Sequence, residues 1–229
     1  DSQDNVAVIH MTNAYGAGLA DAFVANMDAA HICTQVGYED TSTDYATLAQ
    51  AVVDAGCTSA LLVSYATDGA GIIEELAGLG YAGDIYGADG IAEEGLAAGM
   101  SDTTLVDGII ATKPAAAGTP GMVAMVFGAL CAQSTDCAGG IYTAEAFDAV
   151  TIVAFAAFTA LATPGLDAGS AVMGTGQGWN GASGTISFLT NGDVPAAGFC
   201  IGEFSTATDG TVSYDCARSW DPVNGITTA

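Results

Sequence analysis

Three side chains that could bind a charged amine follow predicted strands in the first half of the chain. Tyr15 follows predicted strand one, and Tyr65 and Asp89 lie at the ends of predicted strands three and four. In an open parallel sheet, ligands lie beyond the carboxyl ends of the strands. Two rings would form an apolar wall with hydroxyl tips, and a carboxylate with few cations nearby suits a ligand ammonium group. Each residue alone is more typical of a partly buried rim tyrosine or a turn cap, but three at the matching ends of three strands favour a ligand site.

A glycine pair near the start of the chain raises a different chemistry. The segment VAVIHMTNAYGAGLADAF (6–23) places Gly16 and Gly18 between a strand and a helix, as a dinucleotide-binding turn does. The small residue that this fingerprint requires next is replaced by Asp21, whose carboxylate would face a pyrophosphate. Tyr15 is also bulky for the tight turn. We therefore expect the glycines only to permit a tight entry into the helix.

Catalytic and metal-binding motifs are absent from the sequence. Ser64 lacks the flanking glycines of a nucleophile elbow, and a pairing with His10 is weakly supported. No Walker loop, calcium loop or zinc-ligand spacing occurs. We expect no catalytic residue, no metal and no cofactor.

The charge balance excludes several classes of partner. The 229 residues include 26 acidic and two basic ones, giving a net charge of −24. Nucleic acids and anionic membrane surfaces are bound largely through Lys and Arg, so neither is an expected partner. A strongly acidic surface is typical of proteins outside the cytoplasm or in salty surroundings.

Six cysteines indicate an oxidising compartment, and hence a periplasmic or extracellular protein. Cys200 and Cys216 flank two predicted strands around an Asp-Gly turn, which predicts a disulfide across that hairpin. The even number allows many connectivities, and buried free thiols are the alternative. The candidates form three groups along the sequence: Cys33 and Cys57, Cys131 and Cys137, Cys200 and Cys216.

Alternating strand and helix patterns predict an α/β fold with a doubly wound parallel sheet. The strands are predicted at 6–11, 31–39, 59–65, 84–90 and 105–112. The helices are predicted at 18–29, from 42–44 to 53, from 67–68 to 80, and at roughly 121–133 and 143–162. The apolar run 149–162 is shorter than the about 20 residues of a membrane span, so we expect a buried core helix and a soluble protein. The Pro- and Gly-rich segment 113–121 is predicted to cross between lobes, and the end of the chain to be antiparallel.

Three segments resemble the second lobe of the type 1 periplasmic binding proteins, in particular the leucine/isoleucine/valine-binding proteins: VAVIHMTNAYGAGLADAF, TSTDYATLAQAVVDAGCTSALLVSYATDGAGIIEELAGLGY and GADG. Two later segments, YTAEAFDAVTIVAFA and GASGTISFLTNGD, resemble a helix and a turn from the tail of the same family. The resemblance implies a ligand-binding lobe two at 1–113 with 198–229, and part of an α/β lobe one at 118–197. It also implies that Tyr15, Tyr65 and Asp89 line the cleft, with Tyr142 contributed by the other lobe.

The resemblance implies a solute-binding protein of an ABC importer, or the C-terminal part of one, without catalytic activity. The expected ligand is an amino acid or similar small amine, and the expected protein partners are the importer's membrane subunits. The family's chain begins with a further lobe, so we expect this sequence to hold half of the cleft. The alternative is an extracellular structural or sensor module that keeps the fold and acts through protein contacts, including self-association.

Overall fold

The computed structural model describes residues 5–115, 122–134, 137, 142–195 and 198–228. The chain divides into two compact units. The first unit comprises Asp1–Lys113, Phe199–Trp220 and Asn224–Ala229, and the second comprises Pro114–Gly198 and Asp221–Val223. Their assignment to lobe two and lobe one stays a prediction.

The first unit is built on an eight-stranded sheet. Its strands are β1 (Val6–Met11), β2 (Ile32–Tyr38), β3 (Ser59–Val63), β4 (Asp84–Gly87), β5 (Ile110–Pro114), β8 (Phe199–Thr206), β9 (Val212–Asp221) and β10 (Gly225–Thr228), in the order β10-β9-β8-β5-β4-β3-β1-β2. Strands β1 to β5 pair in parallel, whereas β8 and β9 pair antiparallel. The predicted α/β fold with a parallel sheet is confirmed. The antiparallel end adds an edge to this sheet, and that edge includes β10, a strand that was not predicted.

Three helices connect the parallel strands: α1 (Ala14–Asn26), α2 (Ala46–Asp54) and α3 (Ala66–Gly78). All six residues of β1 are buried, as expected for a central parallel strand. The inner faces of α2 and α3 bury Leu48, Val52, Ile72, Ile73 and Leu76 in the same core. Each such fully buried aliphatic side chain contributes about 1.5–3 kcal/mol. This core holds the carboxyl ends of the strands in fixed positions.

Two predicted helix starts were wrong, and both corrections move a candidate site residue into a helix start. Helix α1 begins at Ala14 rather than Gly18, because the side chain of Asn13 accepts a hydrogen bond from the Gly16 N–H (2.9 Å). Strand β1 therefore ends at Met11, and Tyr15 lies in the first turn of α1. Helix α3 begins at Ala66 with Tyr65 as its N-cap, so the cap is neither Thr67 nor Asp68.

In the structure, the strand predicted at 84–90 is shorter, and the strand predicted at 105–112 begins later. The strand β4 ends at Gly87, and Asp89–Ile91 forms a 3₁₀ turn. In the later segment, Thr103–Val106 is a 3₁₀ turn and the strand begins at Ile110. Gly108 between them has a φ of 80°, a conformation that interrupts a strand.

The six cysteines form three disulfides. Cys33 in β2 pairs with Cys57, which precedes β3. Cys200 pairs with Cys216 across the β8–β9 hairpin, and Cys131 pairs with Cys137 in the second unit. The described residues contain no free cysteine.

The two cations of the chain lie near the β8–β9 hairpin. The ammonium group of Lys113 lies 4.7 Å from the centre of the Tyr214 ring, while the Tyr214 hydroxyl donates to the Ala111 carbonyl (2.8 Å). Arg218 lies within β9, opposite Ile201 of β8. Both cations are therefore at the antiparallel part of the sheet.

The second unit contains α4 (Met122–Cys131), α5 (Thr143–Ala162), α6 (Ala168–Thr175) and the antiparallel pair β6 (Trp179–Asn180) and β7 (Thr185–Ile186). The expectation of a buried core helix was wrong for α5: only 17% of its most apolar window is buried. Among the described helices, α5 is the one long and apolar enough to cross a membrane, a criterion that core helices also meet.

Candidate functional site

Tyr15 is positioned by the tight turn between β1 and α1. Asn13 caps the helix, and the backbone of Gly16 packs directly against Met11. A Cβ at position 16 would lie 2.8 Å from the Met11 Cβ and closer still to the Met11 carbonyl oxygen, so only glycine fits. Gly18 has open space around it and is not required by packing. One glycine of the pair thus sets the entry into α1.

Tyr65 stacks on Tyr15. The two ring centroids are 5.2 Å apart and the ring planes are inclined by 11°. Tyr65 is 48% exposed and Tyr15 is half-buried, so Tyr65 presents an aromatic surface to solvent beside Tyr15. An offset stacked pair of this kind adds about 0.5–1.5 kcal/mol beyond area burial. The pair joins the start of α1 to the start of α3.

Asp89 completes the cluster. The Tyr15 hydroxyl donates a hydrogen bond to Asp89 Oδ1 (2.9 Å) and accepts one from the backbone N–H of Gly90 (3.1 Å). A Cβ at Gly90 would lie 2.8 Å from the Tyr15 hydroxyl and 3.2 Å from Cδ1 of Tyr65. Glycine at position 90 is therefore needed for the close approach of the three residues.

The electrostatics of the cluster keep Tyr15 neutral. Burial, followed by the neighbouring Asp89 carboxylate, raises the pKa of the Tyr15 hydroxyl well above its usual value of about 10. The hydroxyl consequently remains a donor to Asp89 throughout the physiological pH range. A carboxylate oriented in this way beside an exposed aromatic ring can bind an ammonium group that carries an apolar substituent.

The fourth predicted site residue, Tyr142, belongs to the second unit. It is the N-cap of α5, has a left-handed φ of 61° and is exposed. The structure therefore brings together Tyr15, Tyr65 and Asp89 within the first unit. The participation of Tyr142 in the same site stays a prediction.

A second cluster of two tyrosines and an aspartate lies in the first unit and was missed by the sequence analysis. Tyr45 donates to Asp68 Oδ1 (2.9 Å), and Tyr38 donates more weakly to Asp68 Oδ2 (3.4 Å). The two rings meet edge to face at 5.4 Å. Asp68 lies in the first turn of α3, one turn after Tyr65, so this cluster ties the start of that helix to β2 and α2. A tyrosine at the carboxyl end of predicted strand two was the signal available in the sequence.

A buried carboxylate in the second unit was also missed. Asp148 of α5 is fully buried and accepts hydrogen bonds from the backbone N–H groups of Ala182 and Ser183 and from the Ser183 hydroxyl, each at 2.7 Å. Three donors satisfy the carboxylate, as a buried charge requires. Asp148 thus anchors the loop between β6 and β7 to α5.

No family model and no curated protein matches this sequence, but many solved structures share its fold. A type 1 periplasmic binding protein from Bordetella pertussis superposes with a TM-score of 0.71 over 94% of this chain, at 17% identity. The chain has the type 1 periplasmic-binding-protein fold. At this level of identity, the similarity establishes the fold alone.

Proteins with different ligands share this type 1 fold. A leucine-binding protein from Thermotoga maritima matches 95% of this chain and 61% of its own, at 19% identity and a TM-score of 0.73. A solute-binding protein from R. palustris in complex with 4-hydroxybenzoate matches 96% of this chain and 61% of its own, at 14% identity and a TM-score of 0.74. The chain spans about three-fifths of the length of these structures.

Proposed function

We propose that this chain contributes one wall of the ligand site in an extracytoplasmic solute-binding protein of an ABC importer. The observation that carries the proposal is the Tyr15–Tyr65–Asp89 cluster at the carboxyl edge of the parallel sheet. The ligand is a small amine with an apolar substituent, such as an amino acid. The membrane subunits of the importer are the protein partners, and the three disulfides support a periplasmic or extracellular location.

Charge favours an amine over an aromatic acid as the ligand. Asp89 would attract an ammonium group and repel a carboxylate, because like charges at close range disfavour each other in a partly buried site. Both cations of the chain are at the antiparallel part of the sheet, where Lys113 packs on Tyr214 and Arg218 lies in β9. A net charge of −24 adds a long-range attraction for cationic groups.

Isothermal titration tests the ligand class. The natural protein and this 229-residue chain are titrated with L-leucine, L-isoleucine and 4-hydroxybenzoate, and each titration is repeated with Asp89→Asn. Loss of the charged partner costs about 1.5–3 kcal/mol, so Asp89→Asn should weaken amino-acid binding about 10- to 150-fold. The matched control is Asp84→Asn, at the opposite end of the neighbouring strand β4, which should leave the Kd unchanged.

Two results would overturn this proposal. Binding of 4-hydroxybenzoate that tightens in Asp89→Asn would show that the site takes an anion and that Asp89 opposes it. Absence of binding of every tested ligand to the natural protein would remove the solute-binding function and leave the assembly module as the remaining hypothesis.

A further inference from the structure

A cavity of about 290 Å³ lies at the amino ends of β4 and β5, the edge of the sheet opposite the Tyr15–Tyr65–Asp89 cluster. Its walls come from the carboxyl end of α3, the loop that leads into β4 and the segment before β5. Ile73, Leu76 and Ile109 supply an apolar lining, and all three side chains are buried. An apolar protein cavity of about 150 Å³ holds benzene, so this cavity has room for a substituted benzene ring.

The connection between β4 and β5 leaves room for this cavity. Parallel strands are usually joined by a crossover helix. Here the connection contains three short 3₁₀ turns, Asp89–Ile91, Glu94–Ala97 and Thr103–Val106, and no helix. Leu105, in the last turn, lines the cavity. Because a turn of a few residues covers less surface than a helix, part of α3 stays uncovered at this edge of the sheet.

The end of α3 places Tyr81 in the wall of the cavity. The helix closes with a Schellman motif, in which the N–H of Gly80 donates to the Ala77 carbonyl (2.9 Å). The N–H of Tyr81 in turn donates to the Leu76 carbonyl (3.0 Å), and Gly80 has the left-handed φ of 76° that the motif requires. A Cβ at Gly83 would lie 2.6 Å from Cζ of Tyr81, so glycine is needed there to admit the ring. The position of Tyr81 is therefore fixed by its backbone and by close packing.

The hydroxyl of Tyr81 is an unsatisfied polar group in the wall of the cavity. Its oxygen atom is buried and has no hydrogen-bond partner among the described residues. Burial, followed by the neighbouring Asp84 carboxylate, raises the pKa of this hydroxyl to about 12, so it keeps its proton throughout the physiological pH range. A buried donor without an acceptor destabilises the fold, so a molecule that supplies an acceptor oxygen gains by binding here.

Two carboxylates determine which charge the cavity accepts. Asp84 and Asp107 both line it, and both are exposed. The two cations of the chain lie elsewhere, since Lys113 packs on Tyr214 and Arg218 lies in β9. A ligand that carries a carboxylate would therefore be repelled by like charges that no cation offsets.

We propose that this cavity is a second ligand site, which binds an uncharged apolar molecule of about one ring that bears a hydroxyl or carbonyl oxygen. The apolar lining contacts the ring, the Tyr81 hydroxyl donates a hydrogen bond to the oxygen, and the two carboxylates exclude acids. The cavity and the Tyr15–Tyr65–Asp89 cluster lie at opposite edges of the sheet, so each site can fail without the other.

Phenol is the probe, because it joins one ring to one hydroxyl group. Benzene, which lacks the oxygen, and benzoate, which adds a negative charge, are the matched compounds. Each is titrated into the isotope-labelled 229-residue chain, and the amide resonances of Gly83 and Gly108 report on the cavity by nuclear magnetic resonance. Phenol should shift both resonances along saturating curves, benzene should bind at least about threefold more weakly, and benzoate should leave them unchanged.

Two substitutions separate the hydroxyl from the cavity. Tyr81→Phe should weaken phenol binding about 3- to 10-fold, leave benzene binding unchanged and not lower the midpoint of thermal unfolding, because the hydroxyl it removes has no partner among the described residues. Ala77→Leu, which fills the cavity from α3, should abolish binding of both compounds. Ala51→Leu, on the exposed side of α2, is the matched control and should bind phenol as the unmodified chain does.

Three results would overturn the proposal. Equal affinity of Tyr81→Phe and the unmodified chain for phenol would show that the hydroxyl does not contact the ligand. Shifts of the Gly90 amide without shifts of Gly83 would assign phenol to the Tyr15–Tyr65–Asp89 cluster. Absence of shifts with phenol, together with a lower unfolding midpoint for Tyr81→Phe, would assign the cavity to ordered water.

Discussion

Replacing Tyr15 by Phe isolates the hydrogen bonds of the ligand-site cluster. The substitution keeps the ring that stacks on Tyr65 at 5.2 Å and removes the hydroxyl. The hydroxyl donates to a carboxylate at 2.9 Å, and a hydrogen bond to a charged group contributes about 1.5–3 kcal/mol. It also accepts the N–H of Gly90, a buried residue. Because Asp89 is only half-buried and water can replace its lost donor, we expect the lower part of this range, about 1.5–2 kcal/mol.

Urea unfolding followed by circular dichroism, with the disulfides intact, measures this loss. Tyr65→Phe is the matched control, because it removes the hydroxyl of a ring that is 48% exposed and should change the free energy of unfolding by less than about 0.5 kcal/mol. An unchanged dependence of the unfolding free energy on urea concentration would show that the substitutions do not alter the denatured state. Equal unfolding free energies for Tyr15→Phe and Tyr65→Phe would refute the claim that the Tyr15 hydroxyl holds Asp89 in place.

Two further predictions concern the turn glycines and the tyrosine pKa values. Gly16→Ala should lower the unfolding free energy by about 1–3 kcal/mol because its Cβ overlaps Met11. Gly18→Ala, which has open space around it, should raise the unfolding free energy by about 0.5–1 kcal/mol. Thermal unfolding distinguishes the opposite signs, and changes of equal sign would contradict the packing argument. Burial, and then the hydrogen bond to Asp68, raises the pKa of Tyr45 to about 12, so the folded state keeps this proton where an unfolded tyrosine with a pKa of about 10 loses it. The contribution of the Tyr45 hydroxyl to the unfolding free energy is therefore complete below about pH 10 and is lost as the pH rises to about 12. Urea unfolding at both ends of this pH window should show a smaller loss of unfolding free energy for Tyr45→Phe than for the unmodified protein.

The parallel sheet was predictable because its central strands β1 and β3 are almost wholly apolar. The predicted strand 6–11 has the same bounds in the structure, since a buried central strand leaves a continuous run with clear ends. Helix starts were less predictable. Asn13 competes with several polar residues as a possible cap, and Tyr65 caps α3 without any side-chain hydrogen bond, so no residue type marks that start.

The sequence predicted which residues of the candidate site lie close together, because the ends of the strands determine this. Tyr15, Tyr65 and Asp89 come from three separate segments, and the shared edge of the sheet brings them together. The hydrogen bond from Gly90 and the stacking of the rings depend on side-chain orientation, which the sequence pattern does not contain. The exposure of α5 was not predictable either, because an apolar helix has the same sequence whether or not a partner covers it.

The positions of the two cations also determine how the chain meets proteases that cut after basic residues. Lys113 is followed by Pro114, a bond that trypsin-like enzymes cleave poorly, and both residues lie in β5. The remaining cleavable peptide bond follows Arg218, which lies inside β9, a strand that pairs with β8. A protein secreted among digestive enzymes of this class would offer them one bond, and that bond is held within a sheet.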